Sequence, residues 1–463
     1  MTTTIAAAAP ETTVEVHDPE VLAWAGDVLD RAADPRQMRQ AVLDAVARNA
    51  RWRGDECLNL LAPEAPMSPT VRGLLAAEVG QRAAEGHIGP ANRWFAGTAH
   101  IDEIEALCVE LLKRVFGARY ADHRLVASML GNLAVYTALT APGDAIMSVT
   151  QPFGGHSSNR GDGPAGVRGL RIHDVPMDPV ELEVDLEAFA RTARTIQPKI
   201  VALGASMTLF PFPVARMAEI AGEWGGRIFF DGAHQLGLIG GGQFQDPLRE
   251  GAAVLTGSAG KTFSGPQSGV IVWNDPALTG PLTDAIFPTL AATHQVNRVA
   301  ALAAAAAEFL AFGREYMAQI VTNAQALAAA LHERGVPMLA AHKGFTRTHQ
   351  AIADVRAHGG GESVAFRLAK VNIITNKNLI PTDKPEDWNR PSGLRIGTTE
   401  VTRWGMQEPE MARIADLMVD VLAERRPVAA VKQDAIDLRR SFPVLQYCFP
   451  NNGLGGIYNT PCK

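Results

Sequence analysis

A lysine stands between a glycine and a threonine in "TGSAGKTFSGPQSG", residues 256–269. Two chemistries would use such a lysine. The first is phosphate binding: Gly260-Lys261-Thr262 has the ending of a P-loop, whose backbone amides cradle phosphates while the lysine supplies charge. That motif needs a glycine five residues before Gly260, where this chain has Leu255, and Gly257 arrives two residues too late. A P-loop also normally follows the first strand of its unit, whereas several strand-like runs precede Lys261. The second chemistry is covalent: a lysine amine condenses with an aldehyde to form an imine.

An enzyme that works through pyridoxal phosphate needs such a lysine and four further parts. A carboxylate must keep the pyridine nitrogen protonated, a flat group must cover the ring, and small residues or helix-start amides must take the phosphate. An arginine must hold the substrate carboxylate. Asp231 ends the apolar run "RIFF", where a buried carboxylate is costly without a cationic partner. His234 follows in "DGAH", within reach of the same cavity, and Lys261 comes thirty residues after Asp231. His156 in "FGGHSSN" follows two glycines that permit close backbone approach, and Arg395 lies in "SGLRIGT". Singly, these read as a turn aspartate, a loop histidine, a solvated lysine and a surface-paired arginine. Their joint occurrence in chain order is what points to the cofactor.

The elements that must position them follow from periodicity. Short apolar runs at Ala145–Val149, Lys199–Ala205, Arg227–His234, Ala253–Ser258 and Gly269–Trp273 alternate with helical patterns such as "VARMAEIAGEWG". That alternation predicts an α/β domain with a mostly parallel sheet. Ligands of such sheets sit at the carboxyl ends of the strands, where Asp231, Ser258 and Ser206 fall. Residues 18–55 read as amphipathic helix, 59–100 as Pro- and Gly-rich irregular chain, and about 295–333 as a long helix. The tail reads as a smaller α+β domain with strands in "VNIITNKNLIP" and "GLRIGT". The boundaries expected are 1–90 for an N-terminal helical arm and segment, 91–315 for the large cofactor domain and 316–463 for the small domain.

Composition narrows the class. At 463 residues the chain is too long for one compact core. A net charge of −6 gives no phosphate-neutralising surface, so nucleic-acid binding is not expected. Cys57, Cys108, Cys448 and Cys462 form no CxxC pair, which argues against a zinc site or disulfide framework and fits a cytoplasmic protein. The N-terminus, "MTTTIAAAAPETTVEVHDPE", lacks a basic region before its apolar stretch and reads as a loose leader. The apolar stretch Val299–Phe312 is short for a membrane span and reads as a buried helix.

With these segments assembled, the sequence resembles the serine hydroxymethyltransferase family of the aspartate-aminotransferase-like fold (fold type I). The resemblance runs from about Leu60 to Met406 and rests on "LLAPEAPMSP", "AAEGHIGPANRWFAGT", "GNLAVYTALTAPGD", "GGHSS", "DGAHQLGLIGGGQFQDPLREGA", "TGSAGKTFSGPQSGVIV", "NKNLIPTD" and "SGLRIGTTEVTRWGM". It implies pyridoxal 5'-phosphate as cofactor, a seven-stranded-type sheet, and Lys261 as the Schiff-base lysine. It places Asp231 on the pyridine nitrogen, His156 on the ring face, and Ser206 and His234 beside the phenolic oxygen. Ser128 and Met129 match the phosphate cup and Arg395 the carboxylate-binding arginine. Glu85 in "AAEG" matches an acid/base carboxylate reaching in from a neighbouring subunit, which implies a homodimer or a dimer of dimers. Lys261, Glu85, His156 and His234 are thus the catalytic candidates. Asn376 to Asn378 resemble the part that contacts folate, so tetrahydrofolate is the second cofactor to test. No metal and no membrane partner is implied.

The chain departs from the family pattern around its substrate. Ala83 stands where a tyrosine is usual, Pro63 where a serine is, Phe95 where a second tyrosine is, and Gly260 where a histidine precedes the lysine. The Ser-Gly-Ser phosphate cup reads Ala127-Ser128-Met129. A kept electron-sink site with an altered periphery fits cleavage or formation of the Cα–Cβ bond of a β-hydroxy-α-amino acid of the serine or α-methylserine type. The run "FGREYMAQIVTNAQALAAALHERG" with "GFTRTHQ" is also similar to threonine transaldolases of the superfamily. Another fold type I reaction such as transamination is the nearest alternative, since the same electron sink serves it.

Overall fold

The computed structural model describes residues 16–450, so the leader residues 1–15 and Cys462 lie outside the described residues. The described chain falls into two compact units that meet in sequence at Cys57 and Leu58. In the first, the expected helix is two helices, α1 (Pro19–Asp30) and α2 (Pro35–Asn49). Asp34 ends the continuity: its carboxylate accepts from the amides of Arg36 and Gln37, and Pro35 occupies the first helical turn.

The second unit is built on a seven-stranded sheet. Its strands are β1 (Tyr120–Asp122), β2 (Ala145–Ser148), β3 (Arg171–Asp174), β4 (Ile200–Leu203), β5 (Arg227–Asp231), β6 (Ala252–Ser258) and β7 (Gly269–Trp273), in the spatial order β1-β7-β6-β5-β4-β2-β3. The pairings from β3 through to β6 are parallel, and β7 runs antiparallel to both β6 and β1. This is the mostly parallel α/β architecture expected. Strand residues alternate between two cores. Ile146, Ile200, Phe229, Val254 and Ile271 face one, while Met147, Val201, Phe230, Leu255 and Val270 face the other. A sheet covered on both faces explains why its strands read as unbroken apolar runs.

Helix α3 (Ala99–Phe116) packs on the sheet, and α4 (Ser128–Leu139) starts where the chain leaves β1. Gly269 is required there: a Cβ would sit 2.6 Å from the Ala127 carbonyl oxygen. Helix α5 (Val296–Glu333) runs for 38 residues, close to the expected span. Its most apolar window is 61% buried, as a core helix requires. It packs into the sheet's core through Val299, Leu302, Phe309 and Met317, and towards its end it enters another core through Leu327 and Leu331. That further core also holds α6 (Glu408–Leu422) and a three-stranded antiparallel sheet. The strands are β8 (Gln350–Asp354), β9 (Asn376–Asn378) and β10 (Gly393–Gly397), in the order β8-β10-β9. A short parallel pairing of Leu58–Asn59 with Ile373–Ile374 ties the start of the unit to its end.

Candidate active site

Asp231 ends β5 and is buried. Its Oδ2 accepts from Asn132 Nδ2 at 2.7 Å, Asn159 Nδ2 at 3.0 Å and Ser158 Oγ at 3.3 Å, and its Oδ1 from the Ala233 amide at 3.1 Å. All four donors are neutral. Asn132 is fixed in turn by Thr256, and Asn159 by the Tyr136 hydroxyl. Among the described residues no arginine, lysine or histidine forms an ion pair with Asp231. This buried carboxylate is oriented by neutral donors, with Lys261 acting on it without a direct ion pair, so it suits a cationic group placed beside it.

Lys261 lies between β6 and β7, half-buried, with its ammonium pushed down to about 8 from 10.5. Burial is the main cause and Arg395 adds to it, while Asp231 opposes it. Thr262, beside it, is structural: its hydroxyl donates to the His234 carbonyl at 2.8 Å and accepts from the Gly237 amide at 2.9 Å. That bond pair clamps the lysine segment to the turn after β5. At Gly260 a Cβ would come within 2.9 Å of the Gln267 carboxamide, so that carboxamide fills the space next to the glycine.

His156 Nδ1 accepts from the Ser158 amide at 3.1 Å, and burial lowers the pKa of its ring. The glycines before it are forced by contact: a Cβ on Gly154 would meet the Met207 carbonyl at 2.4 Å, and one on Gly155 the Val149 carbonyl at 1.9 Å. His234 is buried, and its pKa is lowered by burial first and then by Lys261 and Arg395. The Ser206 carbonyl accepts from Arg395 Nη1 at 2.7 Å, and Asn376 Oδ1 accepts from Arg395 Nε at 3.1 Å. No acidic side chain among the described residues pairs with Arg395, and burial pushes its guanidinium down to about 10. Ser128 and Met129 open α4, whose preceding Ala127 offers no side-chain cap. Their amides are therefore available to an anion, which the helix dipole also favours.

His156, Ser206, Lys377, Asn378, Trp388 and Arg395 line one cleft of about 550 Å³. The structure thus brings Lys261, Asp231, His156, His234, Ser206 and Arg395 to the carboxyl end of the sheet. Glu85 does not line that cleft, and neither do Lys261, Asp231 and His234. The Glu85 Oε1 accepts from Thr293 Oγ1 at 2.5 Å. Asn132, Ser158, Asn159, His349 and Gln350 had no role assigned, although all five lie inside the stretches "GNLAVYTALTAPGD", "FGGHSSN" and "GFTRTHQ". For Asn132 the signal was a polar residue at a buried position of an otherwise apolar helix.

The group fits pyridoxal phosphate on these grounds: a buried carboxylate held by neutral donors for a ring cation, a lysine of depressed basicity, and uncapped helix-start amides for a phosphate. A second titratable cluster, Glu105, His123 and His294, has metal-like composition and is buried. Its carboxylate is already engaged by Arg93 Nη2 at 2.5 Å and His294 Nε2 at 2.5 Å, with His123 Nε2 at 3.4 Å. It reads as an ion-pair network that also grips the Glu85 loop, since Arg93 Nη1 donates to the Ala84 carbonyl.

A family model described as "Serine hydroxymethyltransferase" matches residues 36–418. A serine hydroxymethyltransferase of Methanopyrus kandleri is 43% identical over 415 residues, covering 90% of this chain and 96% of that protein. One from Methanocella arvoryzae is 42% identical, covering 86% and 93%. Among solved structures, an L-threonine transaldolase from Pseudomonas fluorescens in its internal aldimine state superposes with a TM-score of 0.81 at 26% identity, covering 93% of this chain and 96% of that one.

Proposed function

This chain belongs to the serine hydroxymethyltransferase family, whose enzymes use pyridoxal phosphate and folate, and from that premise we propose that it makes or breaks the Cα–Cβ bond of a β-hydroxy-α-amino acid. The observation that supports it most is the convergence of Lys261, Asp231 and Arg395 on one side of the sheet. A covalent anchor, a pyridine-nitrogen partner and a carboxylate binder then surround a single amino acid.

When bound, pyridoxal phosphate supplies a conjugated ring that can accept the electron pair released at Cα. Lys261 Nζ anchors it and later receives or returns a proton at that nitrogen. Asp231, locked by Asn132, Asn159 and Ser158, holds the ring nitrogen protonated. His156 would cover the ring, Ser206 and His234 would sit beside its phenolic oxygen, and the amides of Ser128 and Met129 would take the phosphate. Arg395 would grip the substrate carboxylate and so orient the bonds at Cα. Glu85 takes the β-hydroxyl proton in the site of a neighbouring subunit. The exposed Trp94 and Phe95 on the same segment support a homodimer.

Serine-type hydroxymethyl transfer to folate is the first reading, with α-methylserine as the variant that the altered periphery favours. Threonine-type aldehyde exchange is the second, supported by the threonine transaldolase whose structure spans 93% of this chain. Purified enzyme should absorb in the visible, respond to amino acids, and lose the band in Lys261→Ala. Serine, α-methylserine and threonine, each assayed with and without tetrahydrofolate, separate the readings. An unchanged band in Lys261→Ala would sink the anchor assignment.

A further inference from the structure

We propose that Gln350 is a positioning residue that locks His234 as a neutral imidazole with its proton on Nε2, presented as a donor toward the Lys261 cavity. The inference rests on the reading of His234 as a residue beside the cofactor.

The orientation of the Gln350 carboxamide is settled by its two backbone partners. Its Oε1 accepts from the Thr208 amide at 3.1 Å, and its Nε2 donates to the Ser206 carbonyl at 2.8 Å. Exchanging oxygen and nitrogen would set donor against donor and acceptor against acceptor, so the amide stands only one way. The same Nε2 lies 3.2 Å from His234 Nδ1 and 3.2 Å from His349 Nε2. An amide nitrogen offers two hydrogens and no lone pair. One goes to the Ser206 carbonyl and the other is left to be shared by His234 Nδ1 and His349 Nε2, so neither ring nitrogen can present its own N–H to it.

The consequence for His234 is a forced tautomer: Nδ1 accepts, so the proton rides on Nε2. A doubly protonated ring would aim a second N–H at the carboxamide hydrogens, so the same contact keeps the ring neutral. His349, stacked on His234 at 5.7 Å with rings 18° apart, faces the same amide through its Nε2. Burial, Lys261 and Arg395 act in the same direction on His234. Gln350 also donates to the carbonyl that anchors Arg395, so one side chain sets a donor on the large sheet and supports the arginine of the small one.

The test is long-range imidazole nitrogen NMR on the protein labelled at histidine nitrogen, as purified and with pyridoxal phosphate added. The His234 signals are assigned by their loss in His234→Asn. The expected result is a Nε2–H pattern for His234, favoured roughly tenfold over the other tautomer. In Gln350→Glu the new carboxylate accepts from Nδ1, so the His234 pattern should move to Nδ1–H or imidazolium, with a shift of the visible band in the holoenzyme. A Nδ1–H pattern in the unaltered protein overturns the proposal without any variant. So do unchanged His234 signals in folded Gln350→Glu. A protein that never gains a visible band would instead refute the cofactor reading and leave the tautomer measurement standing.

Discussion

Stripped of its cofactor and offered pyridoxal phosphate, this protein should form the imine at neutral pH far faster than an ordinary lysine could. Only the neutral amine is nucleophilic, and Lys261 titrates at about 8 instead of 10.5. At pH 7.5 about a quarter of the Lys261 side chains are then neutral, against about one in a thousand for a free lysine, a gain of roughly 200-fold. Stopped-flow absorbance of the apoenzyme gives the rate across pH 6–10, divided by that of a simple alkylamine corrected for its own ionisation. Raising the pH through about 8 deprotonates the amine, so the curve should rise and then level. Two variants fix the cause. Asp231→Asn removes the charge that favours the ammonium and should move the inflection down, whereas Arg395→Gln removes one that disfavours it and should move the inflection up. A rate still climbing tenfold per unit near pH 10, or two variants moving the inflection the same way, would refute the assignment.

Arg395→Lys keeps the charge but loses the planar fork, so amino-acid affinity, read by absorbance titration, should fall about 10- to 100-fold while bound cofactor is unchanged. Unaltered affinity would remove Arg395 from the substrate. Glu105→Gln leaves His294 against a neutral carboxamide while Arg93 keeps Asp102 at 2.6 Å, and should cost about 1–3 kcal/mol, visible as a lower melting temperature. Because the Glu105 carboxyl is held well below its usual range by His123 and His294 against the cost of burial, its contribution is present above the ordinary carboxylate pKa and is lost as pH falls. A melting curve identical to the parent's would deny the network any role. Glu85→Gln should cut turnover with cofactor still bound, and full turnover would assign the proton transfer elsewhere.

The strands that carry the site were legible because both faces of the sheet are buried. Gly269–Trp273 and Arg227–His234 read as apolar runs, and the structure has strands at Gly269–Trp273 and Arg227–Asp231. Edge strand β3 was not legible: "RIHD" is largely solvent-facing and has no apolar signature. The short β1, "YAD", gave no periodicity either. β8 was missed because "QAIAD" looks like helix, and only its pairing with β10 makes it a strand. In the site, each reacting residue had a type that announces its chemistry, but the residues that aim them did not. Asn132 and Gln350 are ordinary amides whose importance lies in which atoms they face after folding.

Helix α5 has a thermodynamic consequence of its own. Its 38 residues belong to two cores at once, and Asn323 near the crossing donates to Thr402 Oγ1 and the Met406 carbonyl. Melting either core would fray a helix on which the other depends, so the cores cannot come apart independently. From Leu58 onward the chain should therefore lose its structure in one cooperative step, and the two sheets that hold Lys261 and Arg395 should share one midpoint. A damaged copy would then be wholly unfolded and open to proteolysis, with no half-folded form left to bind the cofactor.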